Sequence, residues 1–404
     1  MSSNFGENIT IQIFGQSHSE MLGVVIDGLP AGYDIDLQQV QAFLDRRRGG
    51  QNAYSTARAE TDQLRVVSGL VDGVTCGAPL CALFENTDAH SEDYKQSGGQ
   101  VSTIPRPSHV DYYAGEKYFG AQDYRGGGHF SGRMTLPLCF AGALCLQLLN
   151  RWDVHMGAHI AQIHSVLDKP YDPVSVMASD LHHNGNFPVN DPNVAESMKR
   201  AMLDAAAQDD SVGGIIECAI IGLPIGIGQP LFGGIENRLA TAIFAVPAVR
   251  GIEFGAGFTA AEMLGSEHND AFCIRGSGSS QDDMGAILSS SRPPSRDPGA
   301  EVNVEVQEDA KITAGSMGEI THKTNHAGGV VGGLSTGMPL IFRTAIKPTP
   351  SIAKQQDSVD LDSMREAKLR IQGRHDPCIV PRAVPCIEAA AAITLADMLV
   401  PSHA

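Results

Sequence analysis

The chain has 404 residues, 42% of them hydrophobic and 19% charged, enough to bury a large core as one big domain or two small ones. Its net charge of −17 argues against non-specific binding to nucleic acid or to an anionic membrane surface. An acidic protein still binds an anion when its few cations are gathered in one place.

The eight cysteines lie mostly in apolar runs, include no Cys-x-x-Cys pair, and are expected to be reduced, buried thiols in a cytoplasmic protein. Met1 to Thr10 is polar and lacks the apolar core of a signal peptide, and no stretch reads as a membrane span. Near the start, Phe14-Gly15-Gln16-Ser17-His18 places a histidine in a turn-rich segment. Gly23 to Ile26 is expected to be a strand, turned by Leu29-Pro30-Ala31-Gly32. Asp36 is expected to cap a helix from Leu37 to about Arg46. Arg46, Arg47 and Arg48 close that helix, and the default reading is a solvated basic end favoured by the helix dipole.

Further on, Arg106-Pro107-Ser108-His109-Val110-Asp111 repeats the pairing of a histidine with turn-forming neighbours. Gly126-Gly127-Gly128 precedes an apolar helix expected over Leu136 to Trp152, with Pro137 in its first turn. A tight turn is the simplest account of three glycines. Arg125, Ser131 and Arg133 beside them point instead to backbone N–H groups feeding an anion site. His155 and His159 have the i, i+4 spacing of a helical zinc pair without the intervening glutamate, so no metal site is expected. Residues 170–193 are polar and irregular, the pattern of a surface excursion.

Ile215 to Ile221, Gly222-Leu223-Pro224-Ile225-Gly226 and a helix over Ile235 to Phe244 then repeat the earlier strand, turn and helix. The two Gly-Leu-Pro-x-Gly turns suggest one domain over residues 1–404 built from two similar βα halves. Residues 276–299 read as a mobile loop. Gly328-Gly329 and Gly332-Gly333 suggest backbone lying close to a ligand. The chain closes on Gly373-Arg374-His375-Asp376-Pro377 and Val380-Pro381-Arg382-Ala383-Val384-Pro385, which sets a cation, an imidazole and a carboxylate side by side among three prolines.

Most of the fourteen histidines are expected on the surface or satisfied in the core. Arg106, Arg125, Arg133, Lys347, Arg374 and Arg382 each lie in a Gly- or Pro-rich segment. As a set they favour an inward-facing basic pocket for phosphate and carboxylate groups.

These segments resemble the signatures of chorismate synthase. So do Asp45-Arg46-Arg47-Arg48, Glu85-Asn86-Thr87-Asp88, Asp123-Tyr124-Arg125, Gly265-Ser266-Glu267-His268-Asn269-Asp270, Asn325-His326-Ala327 and Lys347-Pro348-Thr349, in the family's order and spacing over nearly the whole chain. The resemblance implies an α+β sandwich of antiparallel sheets and helices with internal pseudo-symmetry, assembled as a homotetramer. It implies anti-1,4 elimination of phosphate from 5-enolpyruvylshikimate 3-phosphate to give chorismate, with reduced FMN and no net redox change. By resemblance, His18 would protonate the reduced flavin or stabilise its anion, His109 would assist proton transfer at the leaving phosphate, and Asp376 would help flavin N5 accept the ring proton. Ser17, Arg47, Arg106, Gly132, Arg133 and Arg374 would bind substrate. His129, Phe130, Ser131, Ala248, Gly333, Lys347, Pro348, Thr349, Pro350, Ser351 and Arg374 would line the flavin site.

The departures from the family cluster at that pocket. Gln16 and Ser19 replace a glutamate and a glycine around Ser17-His18. His129-Phe130-Ser131-Gly132-Arg133-Met134 stands where the family has Arg-Ser-Ser-Ala-Arg-Glu, Ala53 and Ala59 stand where arginines are usual, and Pro247 stands where an asparagine is expected. Each lost buried charge-assisted hydrogen bond is worth roughly 2–5 kcal/mol when its partner is left unpaired. The alternative is therefore a paralogue that keeps the fold, with or without FMN, but is non-catalytic, or one that acts on another shikimate-like anion.

Overall fold

The computed structural model describes residues 3–50, 62–86, 103–182, 185, 187–275, 319–371 and 376–403. Ala53, Ala59, Thr87, Asp88, Arg374, His375 and the 276–299 segment lie outside the described residues.

Two five-stranded antiparallel sheets frame the molecule. The first runs, in spatial order, Asn4–Phe5, Thr10–Phe14, Met21–Asp27, Leu80–Glu85 and Leu64–Ser68. The second runs Val249–Phe254, Leu340–Ile346, Gly214–Ile221, His155–Ile163 and Val166–Leu167. The helices are α1 (Leu37–Arg47), α2 (Asp111–Lys117), α3 (Thr135–Arg151), α4 (Ala195–Ala207), α5 (Ile235–Phe244), the single turn α6 (Gly265–His268) and α7 (Val380–His403). The architecture is α+β.

α3 packs along α7 and touches strands of both sheets, so the helix pair forms the middle of the sandwich. Both helices are apolar on nearly every face because almost all of each is buried, the exposed exceptions in α3 being Asn150 and Arg151 at its end. For the same reason, residues 132–151 and 380–400 are long and apolar enough to cross a membrane, against the sequence reading that no stretch is. Yet 78% and 94% of the apolar 18-residue stretch within each are buried inside the protein. The helices meet at Gly142, where an added Cβ would lie 2.3 Å from Ala389 Cα.

Local chemistry sets the element ends. The Asp36 side chain accepts hydrogen bonds from the Gln38 and Gln39 N–H groups and starts α1. At its other end the three arginines are not a solvated cluster. Arg46 forks onto Glu388 of α7 at 2.6 and 3.0 Å, Arg47 is buried against Asp62, and Arg48 reaches Asp45 at 3.1 Å.

The two Gly-Leu-Pro-x-Gly turns share one hydrogen-bond scheme. Thr75 Oγ1 donates to the Pro30 carbonyl and accepts from Tyr33 N–H. Ser335 Oγ donates to the Pro224 carbonyl and accepts from Ile227 N–H. The glycine clusters at 328–333, read from sequence as ligand-facing, lie instead against neighbouring backbone. A Cβ on Gly328 would stand 2.3 Å from Gly255 N, and one on Gly333 would stand 2.4 Å from the Gln229 carbonyl oxygen.

His155 and His159 lie on a strand rather than a helix. His159 is fully buried, its Nδ1 2.8 Å from Asp168 and its Nε2 3.0 Å from Glu217. The polar excursion after residue 168 covers this cluster: Tyr171 N–H donates to Glu217, and Asn190 and Asp191 N–H groups donate to Asp168. The segment therefore packs on the outer face of the second sheet with Tyr171, Val176 and Leu181 beneath it.

Candidate active site

A cleft of about 920 Å³ opens where the end of α1, the glycine loop, the start of α3, the strand from Val249, the Lys347–Ser351 segment and the start of α7 converge. Its volume is near the top of the range for ligand sites, room for a planar cofactor beside a small acid.

The glycine loop organises one wall. Gly126, Gly127 and Gly128 all adopt positive φ, 59°, 87° and 56°, which only glycine tolerates in succession. The loop passes between two histidines. A Cβ on Gly126 would lie 2.7 Å from His18 Cε1, and one on Gly127 would lie 3.2 Å from His109 Cε1. Ser17 N–H donates to the Gly128 carbonyl at 2.9 Å, which locks the first histidine segment beneath the loop. His109 lines the cleft, whereas Ser17 and His18 are buried behind the loop and outside the cleft lining.

His109 Nδ1 lies 2.6 Å from Asp111 Oδ1, and Arg106 grips the same carboxylate with two bonds of 2.7 Å. Burial alone would raise the Asp111 carboxyl. The Arg106 fork and then the His109 hydrogen bond overcome it and hold the group well below the usual carboxylate range. An ionised Asp111 accepts only, so it fixes the proton on His109 Nδ1 and leaves Nε2 to exchange a proton.

Opposite, the Asp376 carboxylate accepts from Arg382 Nη1 at 2.5 Å, and Arg382 Nε donates to the Arg47 carbonyl at 2.9 Å. Behind them, Asp62 is held by Arg47 and Arg133, and Arg133 Nε also donates to Asn86 at 2.9 Å. Burial would push the Asp62 carboxyl up, but Arg47 and then Arg133 bring it below its ordinary value. These buried arginines are thus fixed in place by acids before any ligand arrives. Lys347 Nζ donates to the Ser108 carbonyl at 2.7 Å, and burial, then the charge of Arg250, hold its ammonium below the usual lysine range.

An aromatic cluster forms part of the remaining lining. The His129 and Phe130 rings lie 4.3 Å apart, and Tyr118 closes the cluster at 5.4 Å from His129. Phe130 is 39% exposed on this shelf. Ser131, Gly132, Arg133, Ala248, Thr349, Pro350 and Ser351 line the cleft, with Arg47 and Arg106. Pro348 is exposed outside the lining, and Gly333 sits in a hairpin turn against Gln229, also outside it. Met134 packs against the hydrophobic core and not on the cleft, whereas Pro247 lines it.

Two buried acceptors on the lining, Thr349 Oγ1 and Gln122 Oε1, have no hydrogen-bond partner among the described residues. Cations at one end, an aromatic shelf and unsatisfied hydroxyl chemistry fit a phosphate-bearing planar cofactor. Among the described residues no group of three His, Cys, Asp or Glu side chains is placed to hold a metal ion.

Asp62, Asp111 and Arg250 escaped the sequence reading. Asp111 had a local signal, two positions after His109 in the same motif; Asp62 and Arg250 had none, because their partners are distant in the chain.

The family model for chorismate synthase matches residues 9–400. The chorismate synthase of Thermococcus gammatolerans is 40% identical over 394 residues, covering 98% of this chain and 96% of its own. That of Korarchaeum cryptofilum is 37% identical over 400 residues, covering 98% and 97%. A solved structure titled "Crystal Structure of Chorismate Synthase" superposes with a TM-score of 0.69 at 22% identity, covering 98% of this chain and 93% of that one, and shares the fold. With a full-length family match and relatives at this identity, the chain belongs to the chorismate synthase family.

Proposed function

We propose that the protein converts 5-enolpyruvylshikimate 3-phosphate to chorismate by anti-1,4 elimination of phosphate, a carbon–oxygen lyase reaction of the shikimate pathway, with reduced FMN as its flavin. Family membership carries the reaction. The observation that best supports catalysis in this chain is the Arg106–Asp111–His109 array, which presents an oriented imidazole to a cation-lined cleft. No observation favours the non-catalytic paralogue.

When bound, the reduced flavin supplies an electron-rich ring that eases departure of phosphate without net redox change. The chain does the rest. Arg106, Arg133 and Arg47, each held in place by an acid, offer oriented guanidinium N–H donors to the substrate's phosphate and carboxylates. His109, its Nδ1 proton fixed by Asp111, holds a proton at Nε2 for the leaving phosphate oxygen. Asp376, steadied by Arg382, is the carboxylate on the facing wall and takes part in removal of the ring proton. His18 lies under Gly126, outside the cleft lining, and acts through the loop rather than by direct contact. Lys347, Thr349 and Ser351 lie along one edge of the cleft as the flavin-binding segment, with the His129–Phe130 shelf across from them. A cytoplasmic homotetramer is part of the same reading. Leu231 and Phe232, 80% and 88% exposed, supply apolar surface that such an assembly would cover.

The test is anaerobic: purified protein, chemically reduced FMN and 5-enolpyruvylshikimate 3-phosphate, followed by chorismate absorbance and a flavin difference spectrum. Chorismate formation is the expected result. A flavin spectral change without product would overturn catalysis on this substrate while retaining flavin binding. Light scattering tests the tetramer.

A further inference from the structure

Of the cysteines among the described residues, only Cys386 lines the cleft. It stands in α7 one turn after Arg382, and Cys139 stands in α3 one turn after Thr135. The packing of the two helices brings these buried residues together from 247 positions apart in the chain, and Cys139 Sγ donates to Cys386 Sγ at 3.7 Å.

The surroundings of the pair differ from those of a thiol buried only for its bulk. Cys386 Sγ lies 3.5 Å from the Arg382 carbonyl, and Arg47, Arg382 and Thr135 line the same floor of the cleft. The hydrogen bond from Cys139 lowers the Cys386 thiol to about 7. Burial opposes that shift, and the charge of Arg47, a bond from Thr135 and the charge of Arg382 add to it. Cys139 moves the other way, because burial and then its bond to Cys386 raise it. Burial also raises Cys145, Cys218 and Cys378, none of which lines the cleft. One sulfur of the pair is thus held as a nucleophile and its neighbour as the proton-bearing partner, the asymmetry a reactive dithiol needs.

We propose that Cys386 and Cys139 form an oxidisable dithiol at the floor of the cleft, which hydrogen peroxide converts to a disulfide. The Cys386 thiolate attacks one peroxide oxygen. An S–O bond forms, the O–O bond breaks, and the departing hydroxide takes up the proton that Cys386 had released. Cys139 then attacks the sulfenic sulfur. The S–S bond forms, the S–O bond breaks, and the oxygen leaves as water with the Cys139 proton. The two thiols lose two electrons in all, and one peroxide becomes two waters. Closing the sulfurs from 3.7 Å to about 2 Å draws the first turns of α3 and α7 together. It also removes the thiolate favoured by Arg47 and Arg382, and Arg382 is the residue that steadies Asp376. Oxidation is therefore expected to slow turnover reversibly. That loss of turnover rests on the proposed reaction, and the disulfide does not.

Native protein is treated with hydrogen peroxide, remaining thiols are blocked with iodoacetamide in denaturant, and tryptic peptides are mapped by mass spectrometry before and after dithiothreitol. The expected result is a cross-linked peptide joining Cys139 to Cys386 that dithiothreitol removes, with Cys145, Cys218 and Cys378 still free. No oxidation, oxidation confined to the exposed Cys76, or Cys386 carried to its sulfinic acid beside a free Cys139 overturns the dithiol. Cys139→Ser keeps a hydrogen-bond donor to Cys386 but removes the second sulfur, so dimedone should trap the Cys386 sulfenic acid. An unlabelled Cys386 in that folded variant overturns the order of attack, and the peptide map decides the disulfide without it. Chorismate formation is followed alongside, and it should fall in proportion to the disulfide and return in dithiothreitol. Full turnover by the fully cross-linked protein overturns the coupling to the cleft. A reduced protein that forms no chorismate overturns the proposed reaction, while the map still decides the dithiol.

Discussion

His109 and Asp111 illustrate how far a single side chain depends on its neighbour. An imidazole alone has two tautomers, and only the one with the proton on Nδ1 leaves Nε2 free to exchange with a ligand. Replacing His109 by Ala is expected to lower turnover by about 10²- to 10⁴-fold with the fold retained, checked by steady-state kinetics and circular dichroism. Asp111→Asn keeps the shape but removes the charge that Arg106 and His109 share. It should lower kcat by at least about tenfold and shift the acidic limb of the pH–rate profile, whereas a purely structural aspartate would leave the profile in place. The histidine was visible in the sequence because it stands among turn residues. Its partner's role was not, because a carboxylate two positions away faces the imidazole only when the intervening turn has the right geometry. Ser108, at φ +56°, supplies part of that turn.

At the scale of elements, packing decides against propensity in the central helix pair. Gly142→Ala would favour α3 by about 1 kcal/mol on helix propensity alone. The new methyl would stand 2.3 Å from Ala389, and overpacking of this kind costs roughly 1–3 kcal/mol. The expected outcome is net destabilisation, read as a lower midpoint in chemical denaturation. The outer face of the second sheet carries the pH dependence. Burial opposes a charge on His159, but the Asp168 and then the Glu217 hydrogen bonds raise its folded value above the ordinary 6.5. The stability it contributes is therefore complete below about 6.5 and is lost as pH rises through the raised folded value. Asp168 acts in the opposite sense. Burial would raise it, but the His159 bond and the Asn190 and Asp191 N–H groups lower it below 3.8, so its contribution is lost only in acid. Raising the pH from about 6 to about 9 should lower the melting temperature of the native protein more than that of His159→Gln. Equal slopes would remove His159 as the cause. The sequence showed this histidine only as half of a spacing motif. Strand placement, which turns i and i+4 into positions along one extended face, is a tertiary fact.

At the scale of the whole molecule, we propose that the chain is one unit of two similar halves. The support is the pair of hydroxyl bridges, Thr75 over the first Gly-Leu-Pro turn and Ser335 over the second. Thr75→Val and Ser335→Ala should each cost about 0.5–1.5 kcal/mol, since both remove hydrogen bonds to a part-buried carbonyl and N–H. Urea denaturation measures both, and an inert member of the pair would end the equivalence. By itself the sequence determined the local elements: the Asp36 cap, the helices from Leu37 to about Arg46 and over Ile235–Phe244, and the apolar helix after the triple glycine. Caps, turns and hydrophobic runs act through near neighbours in the chain. It also determined the family, because many motifs stand in order. Only the tertiary structure decided which cations are neutralised and which remain open to a ligand. Arg47 meets Asp62, Arg46 meets Glu388, and Arg250 meets no acid among the described residues. Those pairings join residues up to 342 positions apart, and electrostatic energy depends on distance in space rather than on separation along the chain.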